Sequence, residues 1–148
     1  MSDYVVKIIP TNPYCHLDSQ NTPKITDALK TKIIADNIEL KTYDTPMFID
    51  CGSNLEKIIC PICGKTISFD WWSVAMDTAW NCHFMDLSVN LPCCGGHSTL
   101  NDLQYYFPCG FSCVELTILN PLDKIDNKCL SYIQELLGSP IQCIQAHI

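Results

Sequence analysis

An α+β fold is predicted by two observations. The order strand, helix, strand can be read at each end of the chain, and a stretch of different charge and cysteine content separates the two copies. Tyr4-Val5-Val6-Lys7-Ile8-Ile9 is short and β-branched, and Pro10 closes it, so it reads as a strand. Thr22-Pro23 then offers an N-cap with proline at the first helical position. Ile25, Ala28, Leu29 and Ile33 follow at helical spacing, and Asn37 is the stop. Ile38 to Tyr43 alternates apolar and polar for most of its length, as a half-buried strand does.

The C-terminal part repeats this order. Val114, Leu116 and Ile118 alternate with Glu115, Thr117 and Leu119 until Asn120-Pro121 ends the strand. Leu122, Ile125, Cys129, Ile133, Leu136 and Leu137 trace an apolar helical face, Gly138 stands where a left-handed cap belongs, and Pro140 follows. Ile141 to Ile148 is a last β-rich segment. Two such halves in one sheet make the split βαβ, ferredoxin-like βαββαβ plan. The expectation is one domain over residues 1–148, built on a four-stranded, mostly antiparallel sheet. Its helices, near Pro23–Ala35 and Leu122–Leu137, share one face, and residues 4–9 and 113–119 are neighbouring parallel strands. Residues 46–110 form an insertion between the second and third strands, at a hairpin tip where added chain is best tolerated.

Composition narrows the function classes. Of the residues, 47% are hydrophobic and 17% charged, which supplies a core and excludes wholesale disorder. Net charge is 9 − 16 = −7, and all nine cations are lysines. An arginine-free, acidic chain argues against nucleic acid, whose phosphates demand clustered cations. No lysine lies between Lys65 and Lys124, an interval that holds Asp70, Asp77, Asp86, Asp102, Glu115 and Asp123. That region is expected to present a solvated acidic face or an acidic docking surface. No stretch approaches the ~18 apolar residues of a membrane span. The first residues lack the long uncharged run of a secretory signal. The cysteine count is odd, at 11, so the expectation is a reducing cytoplasm with metal ligands and buried thiols in place of disulfides.

Cys60-Pro61-Ile62-Cys63-Gly64 is the strongest local signal. Two cysteines three apart aim thiolates at one ion from a tight turn, and glycine after the second lets the backbone take positive φ. Lys57-Ile58-Ile59 and Thr66-Ile67-Ser68-Phe69 flank it as paired strands, which makes the first half of a zinc ribbon rather than a redox motif opening a helix. A closed structural site needs four ligands. The strand Met85 to Leu91 leads into Pro92-Cys93-Cys94-Gly95-Gly96-His97, which supplies either Cys93 with Cys94 or Cys94 with His97. The expected set is Cys60, Cys63, Cys93 and Cys94, with His97 as alternative fourth ligand, around one structural Zn2+ per chain.

The run Cys60-Pro-Ile-Cys-Gly, Leu91-Pro-Cys-Cys-Gly, Leu100-Asn101-Asp102-Leu103, Tyr106, Pro108, Gly110-Phe111 and Asn120-Pro121 resembles a group of uncharacterised bacterial zinc-ribbon proteins. The resemblance spans the middle of the chain and implies no established activity. It favours Cys93 with Cys94 as ligands, because that group often lacks a histidine after the vicinal cysteines.

Among the other residues, Cys129 and Cys143 read as small buried hydrophobes. Cys109 and Cys113 invite a second metal site only if Cys82-His83 or Cys51 joins them. His16 and His147 read as surface groups. Asp70, Trp71, Trp72, Ala75, Met76, Ala79 and Trp80 read as a capped helix whose tryptophans cover the ribbon and sheet or form an aromatic patch for a partner. Tyr105-Tyr106-Phe107 carries the same two readings. His-Glu-x-x-His, deaminase, phosphate-loop and nucleophile-elbow motifs are absent. The leading expectation is a non-enzymatic zinc module that meets a protein partner or acts in regulation through an acidic, aromatic-rich surface. A zinc-dependent, hydrolase-like enzyme with an open metal site and a nucleic-acid-binding zinc ribbon stand as alternatives.

Overall fold

A computed structural model describes residues 3–51 and 55–147. Ile148, the end of the expected last segment, lies outside the described residues. The fold is mixed α/β with antiparallel sheets and, among the described residues, three helices.

The main sheet has four strands, β1 (Tyr4–Pro10), β2 (Asn37–Ile49), β8 (Gly110–Leu119) and β9 (Ile141–His147), in the order β2-β8-β1-β9. Residues 4–9 and 113–119 are neighbours, as expected, but they run antiparallel, with Val5 opposite Leu119 and Ile8 opposite Leu116. The parallel orientation is corrected by the crossover itself. Helix α1 (Thr22–Lys30) carries the chain from β1 to a strand of the same direction, β2, and β8 fits between them antiparallel to both.

Helices α1 and α3 (Asn127–Leu137) lie on one face. Ile25, Leu29, Ile133 and Leu137 share a core with Val6, Ile8, Leu40, Val114, Leu116 and Ile118. Cys129 and Cys143 pack against this core half-buried rather than fully covered.

The helix ends differ from expectation. The cap of α1 is Asn21, whose carbonyl takes the Ile25 amide at 3.1 Å, so Thr22 is already helical. Regular α1 stops at Lys30, while Ile33 bonds back to Leu29 O at 2.9 Å and stays buried. Helix α3 begins five residues later than Leu122. The Asp126 side chain accepts from Cys129 N at 2.8 Å and starts it, while the exposed Leu122 donates its amide to Ile34 O. Gly138 takes the left-handed conformation at φ 71°, as expected.

Strand β2 is longer than Ile38–Tyr43. After an irregularity between Thr42 and Met47 it pairs again, Met47 to Ile49 against Ser112 to Gly110. Pro46 is therefore inside the strand, and the chain leaves the sheet only past Ile49. Residues between β2 and β8 form a three-stranded sheet ordered β4-β3-β7, from β3 (Lys57–Ile59), β4 (Thr66–Ile67) and β7 (Gln104–Tyr106), and a two-stranded one from β5 (Ser88–Asn90) and β6 (His97–Thr99). Helix α2 (Phe69–Trp80) is capped by Ser68, whose Oγ accepts from Trp71 N at 3.1 Å, rather than by Asp70, which sits in its first turn.

A second core joins this central segment to the main sheet. It collects Ile58, Ile67, Leu87, Leu91, Leu100, Leu103 and Tyr105 with Ile9, Ile49, Phe111 and Ile144. Trp72 lies edge-on to Phe48 and donates its indole N–H to Tyr105 Oη at 3.2 Å, so this tryptophan covers the core. Trp80, Tyr106 and Phe107 are exposed. A Cβ at Gly110 would lie 2.9 Å from Ile9 Cδ1, so a larger residue there would push the Ile9 side chain aside.

Candidate metal centre

Two turns of the same backbone design meet at the cysteines. In the first, Cys60 N donates to Lys65 O at 2.9 Å and Gly64 N to Cys60 O at 3.1 Å. In the second, Leu91 N donates to Gly96 O at 2.8 Å and Gly95 N to Leu91 O at 2.9 Å. Gly64 and Gly95 occupy equivalent places with φ of 76° and 69°, a region that side chains disfavour. Superposing the hydrogen bonds matches Cys60 with Leu91, Ile62 with Cys93 and Cys63 with Cys94. Ile62 lies over Gly96, where an added Cβ would stand 2.5 Å from its Cδ1.

The four sulfurs of Cys60, Cys63, Cys93 and Cys94 all lie within 4.8 Å of one another. Cys63 Sγ is 3.3 Å from Cys93 Sγ, and Cys60 Sγ is 3.8 Å from Cys94 Sγ. A tetrahedral ion with metal–sulfur bonds of ~2.3 Å has sulfur–sulfur edges of about 3.8 Å, so the spacing suits a four-thiolate cage. Among the described residues this is the one such group of three or more potential ligands. It does not include His97, whose Nδ1 lies 3.4 Å from Asn90 Oδ1.

The first turn stabilises a thiolate. Burial pushes the Cys60 thiol up, but the amides of Cys63 and Ile62, each 3.3 Å from its sulfur, and the neighbouring thiols bring it down to about 6. Its neighbour Cys93, hydrogen-bonded to Cys63 and partly desolvated, is pushed up to about 12. The Cys60 sulfur is thus poised to hold negative charge, and Cys93 keeps a proton that an incoming cation would displace. Such a cage can hold a metal ion, and its four sulfurs suffice to close a tetrahedral shell.

The other candidate residues stand apart from the cage. Cys82 Sγ donates to Ala79 O at 3.3 Å, and His83 packs edge-on to Trp80. Cys109 meets Cys51 at 3.3 Å, while Cys113 lies buried within β8. Lys57, which flanks the first turn, sits over the Tyr106 ring at 4.7 Å.

Three polar arrangements have partners that the sequence did not indicate. Glu115, counted above with the acidic face, is buried in the main sheet, where its carboxylate accepts from Tyr43 Oη at 2.6 Å and lies 3.9 Å from Lys7 Nζ. Asn101 Oδ1 accepts from Phe111 N at 2.9 Å, and its amide group donates to Thr11 O. Asn120, at φ 47°, accepts from Tyr4 N at 2.8 Å and donates to Asp36 at 2.9 Å. These contacts pin segments far apart in sequence, and only the folded register brings them together.

The chain matches no protein-family model, no curated protein and no solved structure. Among the described residues no helix is long and apolar enough to cross a membrane.

Proposed function

We propose that this protein is a non-enzymatic zinc-binding module. One structural Zn2+ per chain holds the central segment in shape, and that segment presents an acidic, aromatic surface to a protein partner. The observation that carries this reading is the convergence of four sulfurs from two like turns. Thiolates favour zinc among the common divalent ions, and four protein ligands exclude the open position a catalytic zinc requires. The outer side of α2 supplies the surface, with Phe69, Val74 and Trp80 exposed alongside Asp70 and Asp77.

The strand order β2-β8-β1-β9 with both helices on one face supports a ferredoxin-like βαββαβ frame, and the two paired-strand turns support a zinc-ribbon insertion. The same reading places the chain beside the uncharacterised bacterial zinc-ribbon proteins and in a reducing cytoplasm. The residues of that shared pattern act as framework here. Leu100 and Leu103 are buried, Asn101 and Asn120 fasten segments to the sheet, and Gly110 packs closely against Ile9. A pattern that specifies packing fits a binding module better than an enzyme.

The test is metal analysis with X-ray absorption at the zinc edge. One zinc per chain with four sulfurs at ~2.3 Å is expected. Three sulfurs with a water in the fourth position would overturn the reading in favour of a hydrolase-like centre.

A further inference from the structure

We propose that Cys51 and Cys109 form a disulfide across the base of the central segment when the chain folds in the presence of a small-molecule disulfide. The two residues stand where the chain leaves and re-enters the main sheet, just beyond the pair Ile49 and Gly110 that ends the β2–β8 ladder. Their sulfurs are 3.3 Å apart, inside van der Waals contact, and each lies within hydrogen-bond reach of Phe107 O. A bond of ~2.05 Å requires them to close by about 1.2 Å. No third ligand joins them among the described residues, so a two-sulfur site offers little to zinc, unlike the cage. This inference does not depend on the metal reading.

The chemistry balances as thiol–disulfide exchange. A thiolate from either cysteine attacks the oxidant's S–S bond, forming a mixed disulfide and releasing one small thiol. The other cysteine attacks the protein sulfur of that mixed disulfide, the protein–oxidant bond breaks, and the second small thiol leaves. The two cysteines lose two protons and two electrons, and the oxidant gains them as two thiols. In the finished fold the residues are 0% and 3% exposed, so exchange occurs before the core closes over them. Burial then shields the product from reductants.

The experiment refolds the full chain with Zn2+ in a buffer of reduced and oxidised glutathione. Remaining thiols are alkylated in denaturant, and disulfides are mapped by mass spectrometry without reduction. A peptide linking Cys51 to Cys109 is expected. The melting temperature should rise by about 5–10 °C over the reduced protein, because the bond closes a long loop. Cys109→Ala, which leaves an apolar site, should lose both the link and the rise. Expression in an oxidising compartment of a host cell gives a second route to the same map. By either route, recovery of Cys51 and Cys109 as alkylated thiols, or linked to other cysteines, would overturn the proposal.

Discussion

The two cysteine turns share a backbone and differ in where they place sulfur. In the first, the clustered sulfurs belong to the opening position and the residue three on, Cys60 and Cys63. In the second, the opening position is Leu91, and the clustered sulfurs belong to the third and fourth residues, Cys93 and Cys94. Cys60 and Leu91 are both buried, at 1% and 2% exposure, so the opening position is a core site in either turn. The design therefore resides in the two hydrogen bonds and the glycine. Sulfur can occupy different places along the turn and still join the cluster.

The largest expected effect breaks the cage from its most constrained side. Cys60→Ser should abolish stoichiometric zinc and unfold the central segment, since structural zinc contributes about 10–16 kcal/mol in zinc-finger peptides. Hydrogen exchange should show lost protection at β3 and β7 with protection kept in part at β1 and β8. An unchanged melting curve with zinc retained would remove the metal from the account. Chelation of the intact protein should give the same pattern.

Moving the ligand tests the comparison directly. Cys93→Ser should weaken zinc binding sharply. Adding Leu91→Cys to it should restore one zinc per chain by making the second turn a copy of the first. The double variant should remain less stable than the native protein by about 2–4 kcal/mol, because Leu91 fills a core site. Failure of the second cysteine to restore zinc, measured by competition with a chromogenic chelator, would show that the turns are not equivalent.

A smaller effect tests the glycines. An alanine Cβ at Gly64 or Gly95 would meet nothing within 4 Å, so each substitution costs only backbone strain, about 1–2 kcal/mol. Equal losses of stability in denaturant are expected if the turns are alike, and clearly unequal ones would separate them. The smallest effect concerns His97. His97→Ala should leave zinc content intact and stability within about 0.5 kcal/mol, as for a surface change. Zinc loss in that variant alongside zinc retention in Cys93→Ser would reassign the fourth ligand.

Legibility in the sequence followed the range of the interaction. Features set by a few neighbours could be read directly: the β-branched run at Tyr4, the glycine stop at Gly138, and the Cys-x-x-Cys-Gly turn. The start of α3 was misplaced because Leu122 and Ile125 fit the apolar period, while the hydrogen bond from Leu122 to Ile34 that holds this stretch off the helix spans distant segments. Glu115 counted as surface charge because its partners, Lys7 and Tyr43, lie far away in sequence. The meeting of Cys51 and Cys109 depends on where the β2–β8 ladder ends, which β-propensity does not determine. The cage was legible because each half is local, and only the joining of the halves needed the fold.

The continuation of β2 past its irregularity bears on how the molecule carries load. Met47 to Ile49 and Gly110 to Ser112 form one ladder rooted in the main sheet, so a two-stranded stalk joins the central segment to the frame alongside the core they share. A pull applied at α2 reaches the frame through the packed core and through both strands. Separating them from that end breaks their cross-strand bonds one after another, as a zip opens, while a pull along the strands strains the bonds together. Once the shared core has parted, the ladder should therefore yield at low force when its strands are drawn apart and resist when they are drawn along their length.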